Sequence, residues 1–129
     1  MSGYLLDTNA ALLALADPDR LSKAARKAIS AGPNVLSVVS YWEVLLKSMK
    51  GNLDVGDPRM WWRDALDELA ARALPLKPEH VAGVYLLPGI HKDPIDRMLI
   101  AQAIAGEMQL VTTDEAVREY ASAGLRVLI

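Results

Sequence analysis

The chain of 129 residues contains no cysteine, so it can build neither a disulfide framework nor a thiolate metal site. It has no apolar run near the roughly 18 residues that a membrane span requires. Its start, MSGYLLDTNA, lacks the basic segment that opens a secretory signal. The expectation is a cytoplasmic protein with no membrane partner. Neither sign of charge dominates: 14 Lys and Arg face 16 Asp and Glu, a net charge of −2. A broad nucleic-acid footprint is usually more basic. With four acids set aside for bound cations, twelve remain against the 14 bases, which leaves room for a small RNA site run by metal. Core-forming residues are plentiful. At 52% hydrophobic and 23% charged, the composition describes one globular domain over residues 1–129.

Strand and helix patterns alternate along the chain. Tyr4 to Leu6 is a short apolar strand ending at Asp7, followed by the helix former AALLALA. Asp17-Pro18 stops that helix, and Ser22 to Ala31 reads as a second helix closed by Gly32-Pro33. Val35 to Val39 is a β-branched strand, and Ser40-Tyr41-Trp42-Glu43 reads as a capping box opening the next helix. After Asp57-Pro58 the pattern carries a helix through Ala73, with an extended piece over Leu74 to Leu76. Pro78 begins another helix, through Leu87. Asp93-Pro94 opens the helix on which the rest is organised, apolar on almost every side from Ile95 to Ile104 and hence buried. Leu110-Val111 is a strand, Thr112 to Glu115 a second capping box before a helix over Val117 to Ala121, and Arg126 to Ile129 a last strand. This alternation predicts an α/β fold in three layers, with helices on both faces of a central, mainly parallel sheet.

Three of these strands end within a few residues of a carboxylate, at Asp7, Glu43 and Asp114. In an open parallel sheet the C-terminal strand ends share one edge, where ligands bind. Asp96, at the start of the central helix, enters the same crevice. Two carboxylates about 4 Å apart repel by roughly 4 kcal/mol at an effective dielectric of 20, so such a site takes up protons or a cation. Oxygen ligands without sulfur suit Mg²⁺ or Mn²⁺. Ions of that kind acidify water and neutralise phosphoryl charge in phosphodiester hydrolysis. Each acid taken singly also has an ordinary explanation. Glu43 and Glu115 can complete capping boxes, Asp93 and Asp7 can be N-caps, and Asp96 can answer the helix dipole. Spacing by itself leads to an acidic, metal-binding crevice and no further.

The stretches YLLDTNAALLALADP, SVVSYWEVLLKSMKGNL and LLPGIHKDPIDRMLIAQAIAGEMQLVTTDEAV resemble PIN-domain ribonucleases, the VapC-like toxins of type II toxin–antitoxin systems. The likeness spans nearly the whole chain and is most specific from His91 to Ala103. It implies a PIN-like domain and an endoribonuclease in which Asp7, Glu43, Asp96 and Asp114 are the catalytic quartet holding Mg²⁺ or Mn²⁺. It makes Asp7 and Asp96 the most direct ligands and Asp93 a supporting acid. It also implies cleavage leaving a 5′-phosphate and a 3′-hydroxyl, a cognate antitoxin protein as partner, and a homodimer. Asn9 stands where many relatives of this subgroup have histidine, and Ile95 where many have a bulky hydrophobic or aromatic residue, a departure that bears on substrate positioning.

Secondary candidates remain two-sided. Thr8 and Thr113 can hold a water at the site or act as local caps, and Asn9 offers an amide to water or phosphate. Lys47 is an ordinary helix partner for Glu43 or a phosphate contact. Arg97 is a phosphate ligand or a structural ion pair, and His91 is a candidate participant beside the site. Trp61 and Trp62, about 100° apart on a helix, are expected to divide between core and surface. The apolar residues Leu12, Leu13 and Trp61 are candidate partner surfaces. Two rival functions stand: an inert or binding-only domain of this fold, and another metal-dependent phosphoryl hydrolase. Against the latter, Asp7-Thr8-Asn9 lacks the second acid of the D-x-D phosphatase motif.

Overall fold

The computed structural model describes residues 3–90 and 93–129. Five short strands form one sheet: β1 (Tyr4–Leu6), β2 (Asn34–Ser37), β3 (Ala71–Leu74), β4 (Gln109–Val111) and β5 (Arg126–Leu128). Their order is β3-β2-β1-β4-β5, and every neighbouring pair is parallel. The chain therefore builds outward from β1 to one side, then crosses to the other. That reversal opens a crevice at the C-terminal ends of β1 and β4, the usual ligand position in such sheets.

The period-two alternation of strands sorts the core into two layers. Leu5, Val35 and Leu110 pack with Leu99, Ile100 and Ala103 of α6 (Pro94–Ala105) on one face. Leu6, Leu36 and Val111 pack on the other with Ala10 and Ala11 of α1 (Thr8–Ala16), Ala25 of α2 (Lys23–Ala31) and Ala65 of α4 (Pro58–Glu68). These are the three layers that the alternation of elements implies. The small alanines let α1 lie close to the sheet, which brings the residues flanking it near β4. Helix α3 (Val38–Met49) follows β2 without a loop, and α5 (Pro78–Tyr85) packs against α6.

Three expected boundaries are corrected. The strand expected over Val35 to Val39 ends at Ser37, and Val38 already belongs to α3. Ser37 is the cap, its Oγ accepting the Val39 N–H at 3.0 Å, whereas Ser40 lies inside the helix. One good cap outweighs the modest β preference of two valines. The helix expected through Ala73 stops at Glu68. Ala70 turns the chain at φ 47°, and Ala71–Leu74 becomes an edge strand paired with β2. Pairing to β2 overrides the helix propensity of its alanines. After β4 the expected cap at Thr112 is displaced to Asp114, which opens a 3₁₀ helix over Glu115–Ala123.

Candidate active site

Four of the five acids that the sequence singles out sit where a strand ends or a helix begins. Asp7 follows β1 directly. Its N–H donates to Val111 O of β4 at 2.9 Å, and its Oδ1 accepts the Ala10 N–H at 2.8 Å, capping α1. Asp93 caps α6, with Oδ1 accepting the Ile95 N–H at 2.9 Å, and Asp96 lies in the first turn of that helix. Asp114 caps the 3₁₀ helix through the Ala116 N–H at 3.0 Å. Glu43 is different. Because α3 starts early, Glu43 lies beyond the first turn and has no capping role; its Oε2 pairs with Lys47 Nζ at 3.3 Å.

These five acids line one cleft of about 260 Å³, together with Thr8, Asn9, Leu12, Lys47 and Thr113. Among the described lining residues Lys47 is the single base. Burial raises the pKa of Asp7 above the ordinary carboxylate value, and the charges of Glu43 and Asp114 raise it further, against the bonds from Thr112 and the Ala10 N–H that lower it. The cleft is thus an acid-lined hollow in which Asp7 resists ionising. The carboxylates ring the hollow without meeting at a point: no three His, Asp or Glu among the described residues are gathered closely enough to hold one ion as they stand. One oxygen each of Asp7, Asp93 and Asp114 is engaged in a helix cap, and Glu43 is engaged by Lys47.

The supporting residues tie the rim together. Thr8 Oγ1 donates to Ser40 Oγ at 3.0 Å, joining α1 to α3 in a buried contact. Asn9 Nδ2 donates to Thr113 Oγ1 at 2.8 Å. Thr112, fully buried, accepts the Asp114 N–H at 3.0 Å, and its hydroxyl stands close enough to Asp7 to lower that acid's pKa. Thr112 and Ser40 were read in the sequence only as caps. Their signal was a hydroxyl next to a strand end, which a cap shares.

Arg97 is engaged in bonds to neighbouring backbone. Its guanidinium donates to the carbonyls of Pro88, Val84 and Leu87 at 2.6, 3.2 and 3.3 Å and to the Tyr120 hydroxyl at 3.1 Å. It fastens the end of α5 to α6. Trp61 and Trp62 do not divide between core and surface. Both are half-buried, and Trp62 stacks on Tyr41 of α3 with ring centroids 4.8 Å apart. Leu13 is core, and Leu12 lines the cleft. His91 lies outside the described residues.

The PIN-domain profile matches residues 4–123. The chain belongs to the PIN-domain family. It is 31% identical over 122 residues to Ribonuclease VapC22 of Mycobacterium tuberculosis, covering 93% of both chains, which bears out the likeness to VapC-type members carried by the motifs. Among solved structures this PIN domain superposes on VapBC2 from Rickettsia felis bound to a promoter DNA fragment, with a TM-score of 0.70, 16% identity, and 99% and 98% of the two chains covered. It superposes on FitAcB from Neisseria gonorrhoeae with a TM-score of 0.63, 19% identity, and 98% and 96% covered. At those identities the superpositions establish the fold, and the cleft of this PIN domain is to be read from its own side chains.

Proposed function

We propose that this PIN domain is a metal-dependent endoribonuclease, the toxin of a toxin–antitoxin pair acting in the cytoplasm, with Asp7, Glu43, Asp96 and Asp114 as its catalytic acids. One observation carries the reading: acids from four remote segments line a single cleft, and the charges of two of them raise the pKa of a third. Carboxylates so placed favour a cation. The donors of that quartet are all oxygen, which fits Mg²⁺ or Mn²⁺. Such an ion would be held by Asp7 and Asp96 with Glu43 and Asp114 beside them, and would supply positive charge against a phosphodiester.

The chain's own groups do the rest. Asp7 and Asp114, with Thr112 beside both, line the cleft from the ends of β1 and β4. Asn9 and Thr113 present an amide and a hydroxyl at the rim, where a phosphate oxygen or the attacking water can be oriented. Lys47, now paired with Glu43, is free to turn to phosphate once Glu43 engages a cation. An RNA backbone is the substrate that a small cleft with five acids and, among the described residues, one base can accept only with metal present, in keeping with the near-neutral net charge. The relative named Ribonuclease VapC22 supports the activity. Neighbours described as VapBC complexes support an antitoxin partner, with a homodimer as the expected assembly.

The test is cleavage of a structured RNA with Mn²⁺, with EDTA, and by Asp96→Asn. Loss in the last two with an unchanged circular dichroism spectrum supports the assignment. Undiminished cleavage by Asp96→Asn removes it, and hydrolysis of p-nitrophenyl phosphate in place of RNA would make the protein a phosphatase.

A further inference from the structure

Helix α6 is apolar on nearly every side, yet it carries one amide into the core. Gln102 is fully buried. A buried primary amide is costly unless its donors and acceptor are met, and here they are met by three different elements. Gln102 Oε1 accepts the Ser37 hydroxyl at 2.5 Å, its Nε2 donates to Pro75 O at 3.3 Å, and the same nitrogen faces His80 Nδ1 at 3.3 Å. The Lys77 N–H donates to that Nδ1 at 3.0 Å, so His80 is an acceptor there and carries its proton on Nε2. The orientation of the amide follows. Reversed, its oxygen would face the Pro75 carbonyl and the His80 lone pair, two acceptors with no proton between them.

Ser37 is the point of leverage. It ends β2, and its Oγ also caps α3 through the Val39 N–H. One hydroxyl therefore joins the first turn of the helix bearing Glu43 to the helix bearing Asp96, across 65 residues of sequence. We infer that Gln102 is a positioning residue for the acidic cleft: through Ser37 it fixes how the Glu43-bearing helix stands against the Asp96-bearing helix, and so the spacing of two acids that it does not touch. An aliphatic side chain would fill the same space without setting that spacing, because dispersion contacts are not directional. The functional consequence rests on the metal-site reading, whereas the clamp itself does not.

Two variants break the clamp from opposite ends. Gln102→Met keeps bulk in the core, and Ser37→Gly keeps a residue that caps helices almost as well as serine while deleting the shared hydroxyl. Ile100→Val, a buried change on the same helix, serves as the control for plain loss of packing. Hydrogen exchange on the metal-free full-length chain reads the clamp. In the first two variants the amides from Ser40 to Val44 should exchange at least about tenfold faster than overall stability accounts for, and in the control they should follow overall stability.

Calorimetric titration with Mn²⁺ alone reads the cleft, and a tenfold weaker Kd in the clamp variants with an unshifted Kd in Ile100→Val is the expected result. Exchange and Mn²⁺ affinity that track stability equally in all three variants would overturn the proposal. If the wild-type chain takes up no Mn²⁺, the metal reading fails, and the exchange measurement alone decides the clamp. Should Gln102→Met not fold, Ser37→Gly carries both readouts.

Discussion

Asn9 Nδ2 and Thr113 Oγ1 meet at 2.8 Å although 104 residues separate them. One lies just after Asp7 and the other just before Asp114, so the bond closes the rim between the two acids that follow β1 and β4. An exposed bond of this kind contributes about 0.5–1 kcal/mol. Asn9→Ala and Thr113→Val should each lower stability by that much and reduce kcat roughly tenfold. In a double-mutant cycle the second substitution should add little to the first. Fully additive losses in kcat would show that the two side chains act independently.

Burial, and after it the charges of Glu43 and Asp114, oppose the ionisation of Asp7 and raise its pKa. A carboxyl whose folded pKa exceeds its unfolded value binds more protons in the folded chain. Its contribution to stability is present below the unfolded value and is lost as pH rises through the folded one. Asp7→Asn removes the charge and keeps the cap on α1. Without metal at pH 7 the variant should be more stable by roughly 1 kcal/mol, about 4 °C in Tm. That advantage should vanish as the pH falls toward 4. The same variant should cleave RNA at least about 100-fold more slowly. A lower Tm at pH 7 would contradict the electrostatic account.

A ligand that binds only the folded chain stabilises it by about 2.7 kcal/mol at a hundredfold excess over its Kd. Saturating Mn²⁺ should therefore raise the Tm of the wild-type chain by roughly 10 °C, and that of Asp7→Asn or Asp96→Asn by far less. Scanning calorimetry checks this. A Tm indifferent to Mn²⁺ would leave the acids as helix caps and the cleft as a binding surface.

Arg97 donates to three carbonyls and a tyrosine hydroxyl, and a lysine can reproduce one or two of those bonds. Arg97→Lys should cost about 2 kcal/mol, since bonds from charged donors are the stronger ones. Cleavage per folded molecule should stay at the wild-type level. A KM raised tenfold with stability intact would restore Arg97 as a phosphate ligand.

The α/β class, the parallel sheet and the placement of acids at strand ends were all legible, because each follows from local periodicity and from turn residues such as Asp17-Pro18 and Asp93-Pro94. The missed features depend on contacts that no local pattern encodes. Ala71 to Ala73 read as helix until β2 is present to pair with them. Ser40 and Thr112 looked like caps because a hydroxyl beside a strand end reads the same in sequence, whether it caps its own helix or, as here, meets Thr8 or stands beside Asp7. Gln102 was visible as a lone polar residue in an apolar helix, but its partners lie on β2, on α5 and just after β3. The expected gathering of four acids at one point is the instructive case. Sequence spacing brought them to one cleft and could not show that three of the five lining acids are held by the helices they begin.

The central strand takes β2 on one side early in the chain and receives β4 on the other only after residue 108. During synthesis, β1, α1 and α3 are made long before the wall that carries Thr112, Thr113 and Asp114. The cleft wall given by Asp7 and Glu43 is thus encoded well ahead of the wall given by Thr113 and Asp114, and the two meet only once β4 has paired with β1.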